Sequence, residues 1–265
     1  MIVRSRSLRC ALRAPVGVTG FCLGEGRRLA GILFIISAPS GSGKSTLVNQ
    51  LRSLVSGLEF SVSWTTRGPR GSEQDSREYH FTTREHFEEM IRNGEFLEYA
   101  DVFGNYYGTA RCNLTEAFSQ GRDLLLDIDV QGASQVRAKM PDSVSIFLMP
   151  PSPDVLATRL RNRSRAEGAV QEEIIERRLA KARQEIENYR EYGYILVNDV
   201  LDRAVEEMAA IVAAERIWHG SDPGAGGADR ERVLRIAESC RQANSEDRVR
   251  PVLQAFGVPV PSLKG

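Results

Sequence analysis

A chain of 265 residues suits one large α/β domain, alone or with tails. Hydrophobic residues make up 42% and charged residues 26%, with 35 basic residues against 35 acidic ones. That neutrality gives no general pull toward nucleic acid or a membrane surface, and no apolar run approaches the ~18 residues that a bilayer span requires.

Cys10, Cys22, Cys112 and Cys240 lie far apart without metal-ligand spacing, and three histidines add little toward a zinc site. Reduced cysteines in the cytoplasm are the expectation. Residues 1–30 carry Arg4, Arg6, Arg9, Arg13, Arg27 and Arg28 against one acid, Glu25. This stretch reads as a disordered basic extension outside the core fold, with an organellar address as the lesser alternative.

Ile32–Ile36 is an apolar run that breaks into small residues, Ser37–Gly43, and ends on Lys44-Ser45-Thr46. The pattern predicts strand, phosphate-cradling loop and helix. Gly41 and Gly43 let backbone N–H groups turn toward an anion, and the helix N-terminus adds its partial positive charge. Lys44 has the reach for β- and γ-phosphates, and the Ser45 hydroxyl suits Mg²⁺. Ala38, Pro39, Ser40, Gly41, Ser42, Gly43, Lys44, Ser45 and Thr46 are therefore the candidate triphosphate site. Ala38 departs from the strict motif, which wants glycine there.

Thr46–Val55 has the periodicity of a short amphipathic helix, closed by Gly57. Phe60–Trp64 alternates like a strand. The loop Thr65–Gly71 then carries Arg67 and Arg70 on a glycine- and proline-shaped turn, a pairing suited to an oxyanion. Glu78–Phe81 is a strand candidate bearing Tyr79. Thr83–Asn93 is a helix capped by Thr83, and Phe96–Val102 a strand around Glu98. Gly104–Thr109 reads as a loop, its Tyr106 and Tyr107 set between glycines for ligand contact.

Asn113–Gly121 is helical, and Asp123–Asp129 is a buried strand ending in acids. Asp127 and Asp129 share a strand face and suit Mg²⁺ or its waters; the alternative is that they cap the helix Gln131–Met140. Val144–Leu148 is a further strand. Prolines at 150, 151 and 153 open a helix, Asp154–Arg161. Arginines at 159, 161, 163, 165, 177, 178 and 183 are then dense on two helical arms joined through Ser164–Val170. They read as a hinged basic flap or as a solvated face paired with nearby glutamates. Tyr194–Val197 is the last core strand and Leu201–Trp218 a long closing helix. Residues 220–227 read as a flexible linker, Asp229–Ala243 as a helix, and Pro251–Gly265 shows no clear periodicity.

Taken together, the motifs resemble guanylate kinase over about residues 31–218. The likeness lies in S-A-P-S-G-S-G-K-S-T at Ser37–Thr46, S-V-S-W-T-T-R-G-P-R at Ser61–Arg70 and R-E-Y-H-F at Arg77–Phe81. It continues in E-F-L-E at Glu95–Glu98, V-F-G-N-Y-Y-G-T at Val102–Thr109, L-D-I-D-V-Q-G at Leu126–Gly132 and V-N-D at Val197–Asp199.

The resemblance implies an α/β fold of the P-loop NTPase type: a parallel core sheet flanked by helices, a small mixed-β GMP-binding insertion at about 60–110, and a helical lid at about 159–180. It implies phosphoryl transfer from ATP to GMP with Mg²⁺, and small-molecule substrates with no nucleic acid or membrane partner. Oligomeric state is left undecided. Arg67, Arg70, Tyr79 and Tyr107 would hold the GMP phosphate, and Ser63, Glu98, Thr109 and Asp129 would read guanine. Lys44, Arg67, Arg159, Arg163 and Arg178 would stabilise the transferring phosphoryl, and Ser45 and Asp127 would hold Mg²⁺, partly through water. The lid, Asn162–Ala169, lacks the compact G-R-G of the family. Residues 1–30 and 219–265 fall outside the likeness.

Overall fold

The computed structural model describes residues 31–166, 171–220 and 227–260. The basic stretch 1–30, the Gly168 segment of the lid and most of the 220–227 linker lie outside the described residues.

In chain order the elements are β1 (Leu33–Ser37), α1 (Lys44–Leu54), β2 (Leu58–Phe60), β3 (Trp64–Thr65), β4 (His80–Phe81), α2 (Arg84–Arg92), β5 (Phe96–Val102), β6 (Asn105–Ala110) and α3 (Arg111–Ser119). They continue with β7 (Asp123–Asp127), α4 (Val130–Lys139), β8 (Val144–Met149), α5 (Pro153–Ala166), α6 (Glu172–Glu187), β9 (Tyr194–Val197), α7 (Leu201–Trp218), α8 (Gly227–Cys240) and α9 (Glu246–Ala255).

Five strands form a parallel sheet in the order β2-β7-β1-β8-β9. Both faces are covered, so β1, β7, β8 and β9 are apolar almost throughout. On one face Leu47 and Leu51 of α1 and Met208 and Ile211 of α7 pack over Phe34, Ile36, Ile146 and Leu196. On the other, Ala133 and Val136 of α4 and Leu156 and Leu160 of α5 pack over Ile35, Leu126 and Phe147. β1 is central, so the loop after it opens at the C-terminal edge of the sheet, where ligands bind in such folds.

A second sheet, β4-β3-β6-β5, is mixed: β3 pairs parallel with β4, while β3 and β5 run antiparallel to β6. It contradicts two expectations. Phe60–Trp64 is not one strand; the chain leaves the first sheet after Phe60 and enters the second at Trp64. Gly104–Thr109 is not a loop but most of β6. Phe103 and Gly104 both have positive φ, 54° and 81°, as a tight hairpin turn requires. Gly108 is there for packing: a Cβ would lie 2.9 Å from Phe96 Cδ1 and 3.0 Å from Phe87 Cζ. Tyr106 stacks on Phe87 with ring centroids 5.2 Å apart, so one of the two tyrosines belongs to a small core.

The chain after α7 is folded where it is described. α8 lies on α7, with Ala237 and Cys240 buried among the first face's residues. The backbone then passes the edge of β9, where Gln242 N donates to Gly193 O at 2.9 Å. α9 reaches the opposite face and buries Val249, Val252 and Leu253 beside Ile175, Ala182 and Ile186 of α6. Arg248 fastens it by donating to Glu207 and to Ile195 O, each at 2.6 Å. The lack of sequence periodicity after Pro251 reflects a proline inside α9 and one short buried stripe. No helix among the described residues is long and apolar enough to cross a membrane.

Candidate active site

The loop Ala38–Thr46 wraps the N-terminus of α1. Gly41 and Gly43 have φ of 89° and 92°, a left-handed conformation that glycine adopts without strain. Position 38 has no positive φ, so alanine fits where the strict motif has glycine. The loop is braced from below by two side chains. Asn198 Nδ2 donates to Ser42 O at 2.7 Å, and Arg159 donates to Ser42 O at 3.1 Å and to Asn198 O at 3.0 Å. Arg159 therefore sits at the base of the phosphate loop. Asn198 went unread in the sequence, although it lies in the V-N-D motif. The approach is close: a Cβ on Gly43 would stand 2.3 Å from Asn198 Nδ2.

Lys44 Nζ donates to Ile128 O at 3.1 Å and lies 2.5 Å from Asp127 Oδ1. Burial is the largest single influence and would lower its pKa, but the charge and hydrogen bond of Asp127, with Tyr79 and Asp129 adding to them, together outweigh it and hold the ammonium above its ordinary range. Asp127 ends β7 beside β1, which brings it to the loop. It keeps a partly exposed side chain, and Ser45 is exposed on the first turn of α1. Two oxygen donors are the right chemistry for Mg²⁺, which takes few protein ligands and completes its shell with phosphates and water. No cluster of three or more acidic, histidine or cysteine ligands exists among the described residues.

Asp129 is not in the strand. It is the N-cap of α4, its Oδ1 accepting from Gly132 N at 2.9 Å, so the helix-capping alternative holds for it.

On the second sheet, β5 and β6 place Glu98 directly opposite Thr109, and Thr109 Oγ1 donates to Glu98 Oε1 at 2.6 Å. Both are buried. Burial pushes the Glu98 carboxyl up to about 7; the Thr109 bond opposes the rise and Asp129 adds to it. The other oxygen faces α4, where only a glycine, Gly132, leaves room for it. Ser63 is half-buried just before β3, its carbonyl accepting from His80 N at 2.9 Å.

β3 pairs with β6 at Thr65 and Tyr107, which brings the arginine loop to the hairpin. Arg67 Nε donates to the Tyr107 hydroxyl at 3.1 Å, and its guanidinium lies 5.3 Å from the Tyr79 ring centre. The Tyr79 and Tyr107 rings meet edge-on at 5.8 Å. Burial raises the Tyr79 phenol, Asp127 raises it further, and Lys44 opposes, so this tyrosine faces both the arginine cage and the phosphate loop. Arg70 stands exposed on the same loop.

The family model for guanylate kinase matches residues 31–215. The chain belongs to the guanylate kinase family. Its activity is that of a nucleoside monophosphate kinase, an ATP:GMP phosphotransferase.

Among similar proteins, a guanylate kinase from Koribacter versatilis is 54% identical over 228 residues, which is 86% of this chain and 97% of the relative. A guanylate kinase from Nitrosospira multiformis is 50% identical over 187 residues, 71% of this chain and 87% of the relative. The crystal structure of guanylate kinase from Anaplasma phagocytophilum superposes with a TM-score of 0.59 at 34% identity, over 71% of this chain and 87% of that one.

The guanylate kinase lid differs from expectation in its details. α5 runs on to Ala166, so Ser164–Ala166 is helix rather than connection. Arg161 pairs with Glu172 at 2.9 Å and ties α5 to α6, the solvated pairing that competed with a phosphate role. Arg163 is exposed on α5 and Arg178 half-buried on α6.

Proposed function

We propose that the P-loop of Ala38–Thr46 takes the ATP triphosphate while the second sheet takes GMP, with the two phosphates meeting between Lys44 and Tyr79. The observation that carries this is the buried Glu98–Thr109 pair. A carboxylate whose one oxygen is already bonded to a threonine offers acceptor capacity to guanine N1–H and its amine. Adenine lacks that pair of donors and would leave a buried acceptor unmatched, which is a strong basis for rejection. Ser63 and Asp129 complete the edge of the base site.

Tyr79, Tyr107, Arg67 and Arg70 hold the GMP phosphate as a charge-assisted cage. That phosphate is itself a nucleophile, so no side chain needs to remove a proton. Lys44 neutralises charge on the β- and γ-oxygens. Arg163 and Arg178 serve the transferring phosphoryl, and Arg159 holds the loop in register. Ser45 and Asp127 would hold Mg²⁺, which supplies further charge neutralisation on the phosphates. Catalysis is then positioning plus electrostatic stabilisation. The catalytic unit is residues 31–218, and a thiol buried at Cys240 agrees with work in the cytoplasm.

A coupled assay with ATP and Mg²⁺ over GMP, AMP and UMP tests the reading. GMP is expected to be the preferred acceptor by roughly 10⁴-fold, the scale on which hydrogen-bonded sites reject analogues. Comparable rates with AMP would remove Glu98 from its role.

A further inference from the structure

Glu73 lies on the arginine loop and has no role in the scheme above, yet it holds the guanidinium of Arg67. Its Oε2 accepts from Nη1 at 2.9 Å and its Oε1 from Nη2 at 3.0 Å. The same carboxylate accepts from the backbone N–H of Arg70 at 2.8 Å, which fixes the loop around it. Arg67 Nη1 also donates to Gly68 O at 2.7 Å, and Nε donates to the Tyr107 hydroxyl.

An arginine has five N–H donors. These contacts take four of them and leave one, on Nη2. Arg67 therefore does not present a two-pronged fork to a phosphate. What it does is orient Tyr107. A phenol oxygen that accepts from Arg67 Nε directs its own hydrogen elsewhere, and the edge-on Tyr79 ring limits where Tyr107 can move.

A carboxylate beside a phosphate site also has an electrostatic cost, because it repels the incoming dianion. Burial would raise the Glu73 carboxyl, but the Arg67 hydrogen bonds and the Arg70 N–H outweigh it and keep it ionised.

We propose that Glu73 is a positioning residue for the acceptor phosphate: it locks Arg67, and Arg67 locks Tyr107 so that the phenol O–H points at the phosphate. This rests on the reading of Tyr107 and Arg67 as the phosphate cage.

The test is steady-state kinetics with GMP varied at saturating ATP, on the wild type, Glu73→Gln, Glu73→Asp, Tyr107→Phe and the Glu73→Gln/Tyr107→Phe double variant. Glu73→Gln is expected to raise KM for GMP about tenfold, the worth of one hydrogen bond, with kcat and KM for ATP within about twofold. Glu73→Asp keeps the charge but shortens the reach, and is expected to raise KM for GMP as well. The double variant is expected to be no worse than Tyr107→Phe, because both act through one hydroxyl.

A lower KM for GMP in Glu73→Gln would show repulsion to be the larger effect and overturn the proposal. An unchanged KM, or multiplicative effects in the double variant, would do the same. A wild type that fails to phosphorylate GMP would instead remove the reading on which the proposal stands.

Discussion

A Cβ on Gly132 would lie 2.3 Å from Glu98 Oε2. The first turn of α4 and the Glu98 carboxylate, proposed above to read the base, thus share a space that glycine alone leaves open. Gly132→Ala forces the carboxylate off Thr109 or tilts α4, while helix propensity by itself would gain roughly 0.5–1 kcal/mol. The expected result is a KM for GMP raised at least ~10-fold, the cost of a misplaced charged acceptor, with the KM for ATP nearly unchanged. Kinetics with each substrate varied in turn checks this. Equal losses for both substrates would place the damage in the fold.

The same carboxylate makes recognition depend on pH. Glu98 in the unliganded protein titrates at about 7 because it is buried. In the proposed site guanine needs the ionised form, so affinity is expected to fall as pH drops through 7, about tenfold weaker at pH 6 than at pH 8. The GMP phosphate has a proton of its own near pH 6. Guanosine lacks it, so guanosine inhibition across pH isolates the Glu98 contribution, and Glu98→Gln should flatten it. The stability effect has the opposite sense. The folded pKa lies above the ordinary 4.5, so the unliganded protein loses stability as pH rises from about 4.5 to about 7. The Glu98 share of that loss is on the order of 3 kcal/mol, and because Glu185 is raised to about 7 as well, urea unfolding of the wild type against Glu98→Gln across that range reads it.

How much of this was legible depends on how far apart the partners lie. The phosphate loop is local: Gly41, Gly43 and Lys44 sit within four residues, and their conformations follow from residue type. The proposed guanine and phosphate sites join residues such as Arg67 and Tyr107, 40 positions apart, which the strand pairing of β3 and β6 brings together. Resemblance grouped these residues by role; neither it nor periodicity gave the strand pairing. The glycines of β6 misled because packing and flexibility use the same residue. Gly104 is in a turn, whereas Gly108 lies against Phe87 and Phe96. Glu73 acts on the Arg67 side chain and Asn198 on the Ser42 carbonyl, through bonds spanning 6 and 156 positions, and a lone glutamate or asparagine carries no local signature of that.

Gly43 and Asn198 form a second close pair, and their variants should part company. Gly43→Ala meets both a φ of 92° and a 2.3 Å clash with Asn198 Nδ2. It is expected to abolish ATP binding. Asn198→Ala removes one of two donors on Ser42 O, and Arg159 Nη1 keeps the other at 3.1 Å. Its KM for ATP should rise about tenfold, a single hydrogen bond's worth, with GMP binding by calorimetry unaltered. If Asn198→Ala weakened GMP as much as ATP, the brace would not be specific to the loop.

Leu253 offers a measure of what the C-terminal helices contribute. It is 1% exposed on α9 and belongs to the cluster that includes Ile175 and Ile186 of α6. A leucine-to-alanine change in such a core costs roughly 2–5 kcal/mol, the transfer term plus the cavity left behind. At about 2–4 °C per kcal/mol for a domain of this size, Leu253→Ala should lower Tm by roughly 5–15 °C. None of the loop or cage residues is in that cluster, so activity at 25 °C should stay close to wild type. Arg248→Ala is the polar counterpart. It strands Glu207, which is 9% exposed, and frees Ile195 O at the edge strand. Leaving a buried carboxylate without its partner costs about as much as a core cavity, so the two variants should melt together. A Leu253→Ala protein as stable as the wild type would mean that α9 rests on the domain without holding it.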